Sequence, residues 1–230
     1  MKFNRHIGEK IRYRLSNSTS GLTLIESLVA IAVIGITAAS IGPVIAISAA
    51  TRIQSQRAEQ ALRVAKGEVS RVRQVVEQTN TYTAADLGIA STPVAIADVT
   101  AALPPTAANA AFNPANYRIA QIINLDGGDP EFAVQSFRLG ASENNDASGR
   151  PVTFQLGVRV YEIDAVTDNA AGLGTTAARL GTTAGEAQRK EQPLAVFYTE
   201  IIKGDERQSL CEYFEYQGST TSAIPTLDCS

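Results

Sequence analysis

The sequence predicts an α+β protein in which a long N-terminal helix packs on a roughly four-stranded antiparallel sheet. Three observations support this fold class. Residues 22–50 form an apolar run without Lys or Arg, residues 51–79 continue it with a one-sided apolar pattern, and four later segments have the composition of strands. We therefore expect a membrane-spanning or filament-core helix over residues 22–50, its amphipathic continuation over residues 51–79, and a globular head over residues 80–230.

The first apolar run is long enough to cross a bilayer, which requires roughly 20 residues of helix. Its single charged residue is Glu26. A carboxylate at the centre of such a helix costs about 2.5–3.5 kcal/mol on insertion scales, so its presence suggests a function. Gly35 and Pro43 lie further along. Proline removes a backbone N–H and clashes with the preceding turn, so we expect a kink or local melting of the helix there.

The continuation of this helix has an apolar stripe with spacings of three and four residues, which predicts that one face packs on the head. Charged residues fill the opposite face, and we interpret most of them as solvated. The stripe consists of Ala58, Ala61, Leu62, Ala65, Val69, Val72 and Val76.

Four segments rich in β-branched and aromatic residues predict the strands of the sheet: Tyr117–Leu125, Phe132–Leu139, Val152–Ile163 and Leu194–Lys203. The Asp-Gly-Gly-Asp sequence between the first two is typical of a hairpin turn. Residues 164–192 contain the repeated sequence LGTTA and little apolar mass other than Ala. We expect them to form a surface insertion between the last two strands.

The start of the apolar run carries the most informative motif, G-L-T-L-I-E at residues 21–26, behind a leader with five basic residues and one acidic residue. This segment resembles the class III signal of type IV pilins and pseudopilins. The resemblance implies that a prepilin peptidase removes residues 1–21 by cutting between Gly21 and Leu22 and methylates the new amine. The family usually has Phe where this chain has Leu22. Gly35 and Pro43 match the Gly and Pro that the family often has in this helix.

The resemblance implies a structural subunit, a minor pilin or pseudopilin, assembled through its N-terminal helix. Leu22 and Glu26 would be the assembly residues, because the Glu26 carboxylate would pair with the amine of Leu22 in a neighbouring subunit. The partners would be the prepilin peptidase, other pilin subunits and an inner-membrane assembly platform. The basic leader predicts a cytoplasmic N-terminus and a periplasmic head. We favour a role in polysaccharide secretion or gliding; protein secretion (type II), DNA uptake and a monomeric membrane-anchored binding module are the alternatives.

Cys211 and Cys229 are the only cysteines, and an even count in an exported chain predicts one disulfide closing a C-terminal loop. Two free thiols in a reducing compartment are the alternative. A zinc site is disfavoured because two cysteines without histidine do not complete its ligand shell.

Catalysis is not predicted. The only histidine is His6 in the leader, so the mature chain lacks the residue needed for Ser-His-Asp or Cys-His chemistry. The sequence predicts no cofactor, and a net charge of −3 argues against nucleic-acid binding. Two acidic loops are weak calcium candidates, although solvated turn residues explain them as well. One contains Asp126, Asp129 and Glu131; the other contains Glu143, Asn144, Asn145 and Asp146.

Overall fold

The computed structural model describes residues 23–78, 81–125, 127–146, 148–178 and 190–204. The chain divides into two compact units, Met1–Ile47 and Ser48–Ser230. Leu22, the leader, Cys211 and Cys229 lie outside the described residues. The cleavage site and the disulfide therefore stay predictions.

Helix α1 runs from Leu24 to Gln78. Within the first unit, every described residue is exposed. The few polar side chains there bond to the helix itself: the Thr37 hydroxyl donates to the Val33 and Ile34 carbonyls, and that of Ser40 donates to the Ile36 carbonyl. This back-bonding satisfies hydroxyls that would otherwise be unpaired in an apolar medium. Residues 35 and 43 are both helical, and the bend or melting expected near Pro43 stays a prediction.

In the second unit, the continuation of α1 packs one stripe against the sheet, as predicted. Ala61, Ala65, Val72 and Val76 are completely buried. Alanines in the first turns of this stripe allow the helix backbone to approach the sheet closely. Leu62 was assigned to the stripe from its spacing, and this assignment is wrong, since 38% of the residue is exposed.

The sheet is mixed, with β4 and β6 at its centre, and the described part of the chain contributes seven strands to it. The four long predicted strands are confirmed with small shifts at their ends. The strands are β1 (Ala90–Ser91), β2 (Ala107–Asn109), β3 (Ile119–Ile123), β4 (Phe132–Arg138), β5 (Asn144–Asn145), β6 (Pro151–Glu162) and β7 (Ala195–Ile202).

The predicted antiparallel order holds for β3, β4, β6 and β7 but is incomplete. Strand β1 pairs with β4, and β2 with β3, both in parallel, while the antiparallel β5 pairs with the start of β6. These three additional strands have only two or three residues each. So short a segment shows no alternation of apolar and polar residues, which is why the sequence pattern missed them.

Both faces of the sheet are covered. The face toward α1 holds the largest core, including Phe154, Leu156, Val158 and Val160 of β6. The opposite face is covered by residues 96–117 and by helix α2 (Ile163–Asn169). Ala165 and Val166 of α2 are buried, so the start of the predicted surface insertion is part of the core. Residues 179–189 of that insertion lie outside the described residues.

Candidate functional site

The first turn of α1 is built by the same residues that form the motif. Thr23 precedes the helix, and its Oγ1 accepts a hydrogen bond of 3.3 Å from the backbone N–H of Glu26. The Thr23 carbonyl accepts from the Ser27 N–H at 3.1 Å. A threonine followed three residues later by glutamate is a common helix start, because it satisfies N–H groups that have no partner within the helix. Glu26 therefore has a fixed place in the first turn.

The Glu26 carboxylate is exposed, and none of the ion pairs formed among the described residues includes it. Its position in the first turn is favourable, because the positive end of the helix dipole stabilises an anion there. Its neighbours are apolar and open: Leu24 is 84% exposed and Ile25 is 72% exposed. The arrangement can therefore bind a cation supplied by another chain while the surrounding side chains are covered by lipid or by another helix.

The exposed apolar surface continues along the first unit. Its helix contains an 18-residue window with a mean hydropathy of 2.3, so it is long and apolar enough to cross a membrane. Apolar side chains lie on all sides of the helix and not on one stripe. A soluble helix would bury one face against its own domain, whereas this pattern is typical of a helix surrounded by lipid or by other helices.

Residues 16–42 match the family model described as the prokaryotic N-terminal methylation motif. The chain carries a class III prepilin signal. This signal supports a type IV pilin-like or pseudopilin subunit that prepilin peptidase cleaves and that is anchored in a membrane. No curated protein and no solved structure gives a significant match to the chain. The matched segment covers the start of the chain only, so the match assigns no role to the head.

The first calcium candidate is only partly described, because Asp126 lies outside the described residues. Asp129 and Glu131 line a cleft of about 430 Å³ between α1, the β3–β4 connection and the start of α2. Two further carboxylates, Glu162 and Asp164, line the same cleft. Arg57 donates to Glu162 at 3.0 Å across it. The structure therefore brings together acids that are distant in sequence, with one arginine among them.

The carboxylates of the second calcium candidate are bonded to arginines. Glu143 Oε2 accepts from Arg138 Nε at 2.7 Å and from Ser91 Oγ at 2.9 Å. The Asp146 carboxylate accepts two hydrogen bonds from Arg150, one from its backbone N–H and one from its Nε. Burial by itself would raise the pKa of Asp146, but hydrogen bonds from Arg150 and Ser148 outweigh it and lower that pKa. Within the described ranges, neither these carboxylates nor those of the cleft form a group of three Asp, Glu, His or Cys side chains that could hold one metal ion.

Sequence reasoning missed an extensive set of polar contacts in the described part of the head, which is made by Arg159 of β6. Arg159 is completely buried, and its guanidinium stacks over the Phe137 ring at 5.1 Å. Its Nε donates to the Tyr198 hydroxyl at 2.9 Å. Its other nitrogens donate to four backbone carbonyls at 2.7–3.5 Å, those of Val99, Thr100, Ala102 and Leu103. Arg159 thereby holds the loop that precedes β2 onto the sheet. In the sequence, the one indication of this role is a charged residue within a long apolar strand.

Proposed function

We propose that this chain is a structural subunit of a type IV pilus-like or pseudopilus filament, a minor pilin or pseudopilin, and not an enzyme. The observation that carries the proposal is Glu26, a single carboxylate fixed in the first turn of a helix with apolar side chains on all sides. After cleavage at Gly21, the amine of Leu22 would lie one turn before Glu26 in the same chain. A neighbouring helix displaced by one turn would place its amine against this carboxylate.

This pairing explains why the costly carboxylate is present. In a bundle of apolar helices, packing by itself discriminates poorly between registers, since one apolar turn resembles the next. A buried ion pair selects a single register, at the cost of desolvating both charges. The head then lies at a fixed level along the filament. Membrane anchoring before assembly would hold the chain with its N-terminus in the cytoplasm and its head in the periplasm.

Among filament systems, we favour polysaccharide secretion or gliding, with type II protein secretion and DNA uptake as alternatives. The head's length and its Ala/Thr-rich loops support a minor component. A monomeric membrane-anchored binding module is the alternative from another class. It would need no charged residue in its anchor, so Glu26 favours the filament.

The test is Glu26→Val, expressed with the assembly machinery. Insertion should be no worse, and easier by about 2.5–3.5 kcal/mol, because a charge is removed from the apolar helix. Recovery in sheared filaments should fall strongly, since leaving one member of a buried ion pair unpaired costs about 3–5 kcal/mol.

Glu77→Val, which removes an exposed carboxylate from the head end of α1, is the matched control and should assemble normally. Membrane and filament fractions are compared by immunoblot. Equal recovery of Glu26→Val and wild type in filaments would reject Glu26 as the assembly determinant. It would favour the monomeric anchor.

A further inference from the structure

Strand β7 lies at an edge of the sheet. On one side it pairs with β6 along its whole length, from Ala195 opposite Val160 to Ile202 opposite Thr153. On its other side it pairs with no strand of the described part of the chain, and we call this side the open edge. With eight residues, β7 is longer than any other strand of that part except β6. The backbone N–H and C=O groups along so long an edge are a template for a further strand.

The composition of β7 does not protect the open edge. Exposed edges in proteins are usually blunted by short length, or by Lys or Pro on the strand. β7 contains neither Lys nor Pro, and its one charged residue is Glu200. None of its residues is exposed. The open edge therefore offers a partner its backbone groups and not a patch of side chains, which favours the addition of a strand.

The hydrogen bonds to β6 show which amides of β7 point to the open edge. Lys203, the residue after β7, donates its N–H to the carbonyl of Val152 at 2.9 Å, which continues the pairing with β6. In an antiparallel pair, residues that exchange hydrogen bonds alternate with residues that do not. Counting back from Lys203, every second amide points toward β6. The amides that point to the open edge are those of Val196, Tyr198, Glu200 and Ile202.

The two faces of the sheet beside the open edge have different requirements. Phe197 and Ile201 pack in the core beneath α1, whereas Tyr198 packs in the core on the opposite face. Glu200 lies on the same face as Tyr198, because side chains two residues apart along a strand share a face. Its Oε1 is buried and accepts no hydrogen bond from a described residue. A strand added here therefore needs apolar side chains toward α1 and a hydrogen-bond donor on the other face.

The chain carries a segment with this pattern shortly after β7. Gly204 is exposed and lies in a turn. Residues 209–216, which lie outside the described part of the chain, have the sequence SLCEYFEY, and its aromatic residues favour strands. Alternation along such a strand separates Leu210 and Phe214 on one side from Tyr213, whose hydroxyl can donate, on the other.

We propose that residues 209–216 pair antiparallel with the open edge of β7, with Leu210 and Phe214 toward α1 and Tyr213 toward Glu200. The occupant is this segment and not a second copy, because residues 203–208 tether it to β7 and a short tether gives an effective concentration in the millimolar range, on the order of 1 mM. The pairing covers the backbone groups to which another chain could add a strand. The sheet edge is thereby closed to neighbouring copies.

Hydrogen exchange of single amides tests the pairing in the full chain, purified in detergent and followed by NMR. We expect slow exchange both for the amides that point to β6 and for the four that point to the open edge. An edge without a partner gives an alternating pattern instead, in which Phe197 and Thr199 exchange slowly while Tyr198 and Glu200 exchange fast. That alternating pattern in the wild type would overturn the proposal.

Two proline variants identify the partner of the edge. With Leu210 and Phe214 toward α1, the N–H of Tyr213 points at β7 and that of Glu212 points away. Tyr213→Pro should therefore speed exchange at the open-edge amides by at least about tenfold, while the Thr199 amide stays slow because the head remains folded. Glu212→Pro is the matched control and should keep the open-edge amides slow, because an edge strand tolerates proline where its N–H faces solvent.

Dilution separates this segment from a second copy and decides the matter even if Tyr213→Pro unfolds the head and the Thr199 amide also exchanges fast. Protection by residues 209–216 lies within one chain, so roughly tenfold dilution of the wild type should leave it unchanged. Protection that disappears on dilution would assign the edge to another chain. Slow exchange at Tyr198 and Glu200 in a folded Tyr213→Pro variant would reject this segment as the partner.

Discussion

The two halves of α1 belong to one helix, but their apolar side chains have opposite surroundings: exposed in the first half and buried in the second. In the first unit, every described residue is exposed, including Ile31 at 71% and Ile36 at 68%. In the second unit, Ala61, Ala65 and Val72 are completely buried against the sheet. The second half carries its partner within the same chain. The first half leaves its large apolar side chains exposed, which is typical of a helix that is surrounded by lipid or by other helices.

This difference follows from composition as well as position. The buried stripe of the second half is largely Ala and Val, which allow a helix to lie close to a sheet. The first half has Ile, Leu and Val on all sides, so no single packed layer could cover it. A substitution of the same kind should therefore have different consequences in the two halves.

The largest expected effect is that of Ala65→Glu in the buried stripe. Placing a carboxylate at a completely buried position should destabilise the head by more than about 4 kcal/mol, since a buried charge without a partner is among the costliest changes. The matched variant Ala38→Glu introduces the same group at an exposed position of the first half. It should impair insertion or assembly and leave the head within about 0.5 kcal/mol of wild type. Urea unfolding of the full chain in detergent, followed by near-UV circular dichroism, measures both; equal loss of head stability would contradict the comparison.

Arg159→Leu tests how much the hydrogen bonds on the face of the sheet opposite α1 contribute to the stability of the head. It removes the donors to four backbone carbonyls and to the Tyr198 hydroxyl, and buried acceptors left unpaired cost about 1–3 kcal/mol each. We expect a total loss of at least about 3 kcal/mol. Arg118→Leu is the control, because Arg118 donates to one carbonyl of the same loop, that of Pro104, and is only half-buried. Similar urea midpoints for the two variants would show that the Arg159 contacts do not hold the loop.

The smallest effect concerns Glu200 on β7. Burial raises the pKa of Glu200, and its Oε1 accepts no hydrogen bond from the residues that the structure describes. A carboxyl group whose pKa is raised on folding binds its proton more tightly in the folded state, so stability falls as the pH rises from the unfolded pKa through the folded one. Glu200→Gln should therefore raise the unfolding midpoint at pH 7 slightly and reduce its fall between mildly acidic and neutral pH. A lower midpoint for the variant at pH 7 would contradict this.

Several features of the fold could be predicted because they leave long periodic patterns. The four long strands, the buried stripe and the candidate membrane helix each extend over enough residues for a period to appear. The helix start at Thr23 and Glu26 could also be anticipated, since both lie within one short motif. Leu62 shows the limit of this approach: its spacing fits the stripe, but its position lies at the margin where the sheet no longer covers the helix.

The sequence by itself determined the prepilin signal, the place of Glu26 and the half of α1 that is apolar on all sides. These depend on residues that are neighbours along one helix. The tertiary structure decided the cleft lined by Arg57 and four carboxylates, the Arg159 contacts and the three short strands. Each of these joins residues that are far apart in the chain, such as Arg57 with Glu162 and Arg159 with Val99. Only folding brings such groups within hydrogen-bond distance, and a local pattern contains no information about that distance.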